Sequence, residues 1–431
     1  MPDLSSASVE PYWELTFDAD GDVDVIQLSA LTAGLSAYDV TDLVLFSHGW
    51  NSDRSGATRL YDDFFRPIPA LLREASAKAR IGYVGVLWPS MRFSDEPIPD
   101  FEPSAVAPDA GPLLDGPLLD GPTQAALIQV FPGHEDVVRQ LAALLRERPD
   151  GDAPIADFVR LVRELTGISG PVADATDDAP TVVPAMLTDD PVGVCEVFAD
   201  ALGKGPTLLG GLDKRIWNGA HEVLRQATYY AMKRRAGTVG EHGLGPALGE
   251  LAAVRPALRI HLVGHSFGGR LVSFALRGLP GGVRNVKSVT LLQGAFSHYA
   301  FAEQLPHDKS HSGALRDAQL RVDGPVVSCY SSHDEALGTL YPLASKLADD
   351  SRSIFELGDR WGAMGHDGIQ AVDACERLSL AEALAGRFPA GGCVSVDASA
   401  VVRNGGPPSG AHSDICHAEL ARVVLRAGRL A

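Results

Sequence analysis

The stretch IHLVGHSFGGRLVSFALRG, residues 260–278, decides the fold. Residues 260–263 form an apolar run, as in a strand buried on both faces of a parallel sheet. From Phe267 onward apolar residues recur at helical spacing, and the pattern stops near Gly278 and Pro280. Between the two stands Gly264-His265-Ser266-Phe267-Gly268. A G-x-S-x-G pattern arises readily by chance in a chain with 45 glycines, where its plain meaning is a Gly-Ser turn. The flanking strand and helix give it another meaning, a strained elbow that lifts a serine hydroxyl above the sheet. Gly264 and Gly268 supply the tiny residues such a turn needs two positions before and after the serine. Ser266 is the candidate nucleophile. The amide of Phe267, at the positive end of the helix, is the first candidate oxyanion donor.

A serine hydroxyl needs a base. In this arrangement an acid and then a histidine follow in chain order, on loops leaving later strands. Residues 289–292, 326–330 and 394–396 read as such strands, the last extending toward residue 402. Asp334 follows the second of them through Ser331, Ser332 and His333 and is the candidate acid. Its rivals are Glu335, Asp359 and Asp367, and its plain alternative is a surface-turn aspartate. His412 follows the last strand and the loop GGPPSG at 405–410, the address expected of the base. Ser413 and Asp414 read as caps of a terminal helix over residues 415–427, which also makes His412 explicable as a helix-entry residue. His366 precedes the last strand and His417 falls within that helix, so both are weaker choices.

Upstream, the apolar run 43–46 ends in Ser-His-Gly-Trp-Asn at 47–51. Gly49 lets the backbone turn there, which makes the Trp50 amide the second candidate oxyanion donor. His48 reads as a histidine that hydrogen-bonds the loop, and the Trp50 ring as pocket wall. Residues 83–87 are another buried run, ending at Trp88-Pro89. Residues 12–28 read as an edge hairpin: Trp13, Leu15 and Phe17 alternate, DADGD at 18–22 breaks the chain, and Val23, Val25 and Ile26 resume.

Residues 93–211 are rich in Pro, Gly and Asp and carry GPLLD twice at 111–120, a tandem copy too short for a solenoid. Two amphipathic helices are expected inside this stretch. One carries Val137, Val138, Leu141, Leu144 and Leu145, the other Phe158, Leu161, Val162 and Leu165. A long helix is expected over 212–235, ending on Lys233, Arg234 and Arg235 before Gly237, and a shorter one near 246–253. The chain thus divides into residues 1–92, the first part of an α/β core; 93–211, a partly helical insertion; and 212–431, the rest of the core. Alternating strands and helices imply a mostly parallel sheet with helices on both faces.

Taken together, SHGWN at 47–51, WPS at 88–90, GHSFGG at 264–269, an aspartate after the next strand but one, and HSDI at 412–415 resemble the α/β-hydrolase superfamily. The nearest members are bacterial lipase-like and esterase-like proteins with an HG-type oxyanion loop. The resemblance covers residues 40–92 and 210–431 and leaves the insertion unmatched. It implies a Ser266, Asp334, His412 triad, oxyanion donors at Trp50 and Phe267, and an acyl-enzyme hydrolysed by water. It also implies a small-molecule carboxylic ester as substrate, no metal or organic cofactor, and an insertion standing where the family builds a lid. These motifs specify the superfamily and not the substrate, because amide or peptide hydrolysis and acyl transfer use the same triad. A catalytically silent binding protein and a lipid hydrolase working at a membrane surface are the further readings.

The rest of the 431-residue chain is compatible with this. A formal charge of −18 argues against a nucleic-acid face, which needs clustered Lys and Arg. It also weakens attraction to anionic lipid. Five scattered cysteines, Cys195, Cys329, Cys375, Cys393 and Cys416, have neither metal-ligand nor CxxC spacing. Residues 1–10 lack the basic start and apolar run of a secretory signal, and no run reaches membrane-spanning length. A cytoplasmic location with reduced thiols is the expectation.

Overall fold

The computed structural model describes residues 7–50, 52, 54–90, 119–167, 189–202, 212–337, 362–405 and 410–431. Among them are the strands β1 (Tyr12–Thr16), β2 (Asp42–Ser47), β3 (Ile81–Leu87), β4 (Arg259–His265), β5 (Val286–Leu292), β6 (Pro325–Tyr330), β7 (Glu376–Ser379) and β8 (Gly392–Asp397). They form one sheet in the order β1-β3-β2-β4-β5-β6-β8-β7, with every pairing parallel.

The apolar runs explain the sheet's two covered faces. Leu43, Leu45, Ile260, Leu262, Val289 and Leu291 enter one apolar cluster, while Val44, Phe46, Val263, Leu292, Val327 and Val394 enter another. The first face is covered by α1 (Val25–Ala37), α8 (Leu212–Thr238), α9 (Gly245–Val254) and α10 (Phe267–Gly278). The second is covered by α2 (Arg54–Phe65), α3 (Ile68–Glu74), α12 (Leu380–Ala385) and α13 (Ala418–Ala427). A short α11 (Met364–Asp367) lies between β6 and β7. The insertion contributes α4 (Gly121–Val130), α5 (Glu135–Glu147), α6 (Asp152–Thr166) and α7 (Pro191–Leu202), and buried residues of all four join the first cluster. Helices α5 and α6 are the two amphipathic segments expected from sequence. The first GPLLD copy lies outside the described residues, and the second is described only at its end, where Asp120 accepts the Thr123 amide and caps α4.

Four expectations need correction, and one strand was not foreseen. Only the first strand of the 12–28 hairpin forms, and it pairs in parallel with β3 at the sheet edge. Asp24 accepts the amides of Ile26 and Gln27, which turns the supposed second strand into α1 and leaves Val25 and Ile26 exposed; a single Phe17–Val23 bridge remains. The long helix does not end before Gly237 but passes through a π-helical segment, Val239–Leu244, directly into α9. There Gly240 leaves room for α10, since a Cβ on it would lie 2.2 Å from the Leu271 carbonyl oxygen. The last strand stops at Asp397 because its side chain accepts the Ser399 amide and turns the chain. The terminal helix starts at Ala418, and neither Ser413 nor Asp414 caps it. The short strand β7, Glu-Arg-Leu-Ser, was not foreseen, because a mostly exposed edge strand carries no apolar run.

Candidate active site

The candidate residues come from loops at the carboxyl ends of four strands: Trp50 after β2, Ser266 after β4, Asp334 after β6 and His412 beyond β8. Ligand sites of parallel sheets form outside these ends.

Ser266 has φ 54° and ψ −123°, a conformation that costs a non-glycine residue about 1–3 kcal/mol. Its neighbours are fitted around it. A Cβ on Gly264 would fall 2.3 Å from the Gly268 carbonyl oxygen, and one on Gly268 would fall 2.0 Å from the Ser47 carbonyl oxygen. The Ser266 amide donates to Leu292 O at 3.1 Å, and its carbonyl accepts from Ala295 N at 3.2 Å and from Gly269 N at 3.0 Å. Both backbone polar groups of the serine are thereby fixed by β5 and the loop after it. Ser266 occupies the N-cap position of α10, yet its hydroxyl makes no capping bond. It points to His412.

The Ser266 hydroxyl donates to His412 Nε2 at 2.9 Å, and His412 Nδ1–H donates to Asp334 Oδ2 at 2.7 Å. A carboxylate only accepts, so this pairing places the imidazole proton on Nδ1 and leaves Nε2 to take the serine proton. Asp334 is fully buried, and its other oxygen accepts the Leu337 amide at 3.1 Å, which fixes the carboxylate plane. Of the rival acids, Asp367 accepts from His298 at 2.8 Å, Glu335 makes no bond to His412, and Asp359 lies outside the described residues. His366 donates to the Asp334 carbonyl at 3.3 Å, and His417 pairs with Asp414 at 2.9 Å, so neither histidine reaches the serine.

Gly49 lies against Ser266. A Cβ there would stand 2.6 Å from Ser266 Cβ and 3.2 Å from Oγ, so the backbone that continues to Trp50 passes as near the hydroxyl as sterics allow. His48 holds this loop: its Nδ1–H donates to Gly49 O at 2.9 Å, its ring stacks on Trp88, and its carbonyl accepts from Trp88 Nε1 at 3.0 Å. The loop-bonding role read for His48 is what the geometry gives. The Trp50 ring meets the edge of Tyr229 at 5.4 Å and Phe267 at 6.3 Å, while Tyr229 and Phe267 lie 4.7 Å apart. An aromatic wall thus stands beside the serine. Phe267 begins α10, so its amide has no partner within the helix. Among the described residues no group of three His, Cys, Asp or Glu side chains is placed to hold a metal ion.

Three contributors escaped the sequence reading. Tyr229 sits on α8, and only the aromatic pair Tyr229-Tyr230 signals it. His265, within the elbow itself, donates from Nε2 to the His412 carbonyl at 2.9 Å. Burial, with the nearby His412 adding to it, pushes its pKa down to about 3 and keeps the ring neutral. Asp414 accepts the amides of Arg403 and Asn404 at 2.9 and 2.8 Å, tying down the loop that carries His412 instead of capping α13.

The chain matches no protein-family model, no curated protein and no solved structure.

Proposed function

We propose that the chain is a serine hydrolase of the α/β-hydrolase fold that cleaves a small-molecule carboxylic ester through an acyl-enzyme. The observation that carries this reading is the hydrogen-bonded series Ser266–His412–Asp334, headed by a serine in strained elbow geometry.

In this mechanism His412 Nε2 removes the Ser266 proton as Oγ attacks the ester carbonyl carbon. The oxygen that gains charge faces the amides of Phe267 and Trp50. Asp334, already bonded to Nδ1, stabilises the imidazolium without taking its proton. Collapse of the tetrahedral intermediate breaks the bond to the alkoxy oxygen, which leaves with the proton from His412. Water then repeats the sequence on the acyl-enzyme and restores Ser266. The closeness of Gly49 to Oγ supports an oxyanion site on the β2 side of the serine. The insertion, whose helices α6 and α7 pack on α8, serves as the cover of the site, and Tyr229 of α8 forms part of its wall.

A fluorophosphonate probe tests the reading. The intact protein is expected to be labelled at Ser266 and Ser266→Ala to stay unlabelled. An unlabelled intact protein, or equal labelling of the variant, ends it.

A further inference from the structure

Tyr61 lies on α2, is fully buried, and takes no part in the chemistry just described. Its hydroxyl accepts the His48 amide at 3.0 Å and donates to Val86 O. Burial raises the phenol's pKa well above its ordinary value, so the hydroxyl keeps its proton, and the Val86 carbonyl can only accept it. The ring is held as firmly as the hydroxyl. Phe46 and Phe65 pack against it at 5.3 and 6.4 Å between ring centres. Gly85 of β3 leaves room for it, since a Cβ there would fall 2.5 Å from Tyr61 Cδ2.

The two backbone groups that meet this hydroxyl are ones the sheet itself would join. Asp42 N donates to Arg80 O at 3.3 Å at the start of the β2–β3 ladder, whose register runs unbroken to Ser47 opposite Val86. A parallel ladder repeats that bond at every second residue, so the next rung beyond Ser47 would run from His48 N to Val86 O. The Tyr61 hydroxyl stands in that rung instead, and it keeps the two atoms farther apart than the roughly 2.9 Å of a direct bond. In the sheet β2 lies between β3 and β4, so a spacer on its β3 side displaces the departing chain toward β4. Ser266 follows β4, and Gly49 comes to rest against it, with a Cβ there only 2.6 Å from Ser266 Cβ. Trp88 Nε1 fixes His48 from its other side, donating to the carbonyl at 3.0 Å.

We propose that Tyr61 is a positioning residue of the oxyanion site: its hydroxyl, wedged into the last rung between β2 and β3, sets how closely Gly49 and the Trp50 amide approach Ser266. This rests on the ester-hydrolase reading. Tyr61 touches no substrate and acts through His48. Its effect falls on the transition state, where charge gathers on the attacked oxygen and a misplaced donor costs most.

The test is Tyr61→Phe, which keeps the ring and removes the spacer, so that His48 N and Val86 O meet directly and the loop draws back from Ser266. On p-nitrophenyl acetate, kcat per active site titrated with a fluorophosphonate is expected to fall about 10²-fold, with KM changed less than about twofold. A trifluoromethyl ketone, whose adduct with Ser266 carries an oxyanion, is expected to bind more weakly by a similar factor. A hydroxyl that served only the fold would lower the melting temperature and leave both readings unmoved. Unaltered kcat and inhibition, a loss carried by KM, or a Tyr61→Phe chain that fails to fold overturns the assignment. Fluorophosphonate labelling separates the two levels. A labelled wild type with unaltered Tyr61→Phe kinetics refutes the role of Tyr61 alone, and absent labelling of the wild type refutes the hydrolase reading and this proposal with it.

Discussion

His265 Nε2–H holds the backbone carbonyl of His412 at 2.9 Å, so the residue immediately before Ser266 anchors the loop that carries His412. His265→Phe fills the same space without the donor. Its kcat on p-nitrophenyl esters is expected to fall by about 10²-fold, with KM little changed, because a displacement of the base near 1 Å is enough for that. Unaltered kcat would show that the bond does not position His412.

The same residue sets a pH dependence of stability. Its pKa falls from the usual 6.5 to about 3 in the folded chain, so between these values the unfolded chain binds a proton that the folded one does not. Stability contributed this way is complete above pH 6.5 and is lost as the pH falls toward 3, with a slope of at most about 1.4 kcal/mol per pH unit. Urea unfolding at pH 7.5 and pH 5 is expected to show the decline in wild type and a smaller one in His265→Phe. Equal declines would show that His265 does not govern this window.

Asp334→Asn is expected to lower kcat by about 10⁴-fold while the protein stays folded. The remaining carbonyl still accepts the Leu337 amide, but the new amide donates toward His412 Nδ1 and forces the proton onto Nε2, where it blocks proton removal from Ser266. Circular dichroism beside the kinetics separates this from unfolding.

The two glycines around the serine should fail differently. Gly49→Ala brings a methyl to 2.6 Å from Ser266 Cβ and is expected to cost about 10²-fold in kcat, because the nucleophile must shift. Gly268→Ala meets the Ser47 carbonyl oxygen at 2.0 Å, a backbone atom that cannot swing away, and is expected to lower the melting temperature sharply. Equal effects of the two on melting would contradict this distinction.

Arg235 donates to Pro89 O at 3.1 Å and to Val130 O at 2.9 Å, joining the loop after β3 to the end of α4. Burial lowers its pKa to about 10, still charged at neutral pH. Arg235→Met leaves both carbonyls short of a donor and is expected to destabilise by about 1–3 kcal/mol. Limited proteolysis is expected to cut faster in residues 119–134, and an unchanged cutting rate would rule out a latch.

Much of the sheet was legible because its inner strands carry runs such as Leu43-Val44-Leu45-Phe46 that only a doubly covered position explains. The Ser266, Asp334 and His412 positions could be singled out because their chain order and their place after strands are local properties. What escaped depends on contacts between distant segments. Gly237 and Gly240 look like helix stops until α10 is packed beside them, and Val25 and Ile26 look like strand until Asp24 is seen to cap a helix. The bond from His265 to His412 spans 147 residues, and no spacing rule announces it.

The unbroken helical run from residue 212 to 254 has a consequence for anyone reshaping this chain. Its first half packs on α6 and α7, with Trp217 edge-on to Phe158 at 5.8 Å, and its later part lies along α10, which Ser266 heads. The insertion is therefore no detachable cassette. Cutting out residues 93–211 would strip Phe158 and its neighbours from Trp217, on a helical beam that also packs against the helix headed by Ser266, so a trimmed protein would aggregate unless that greasy face were rewritten.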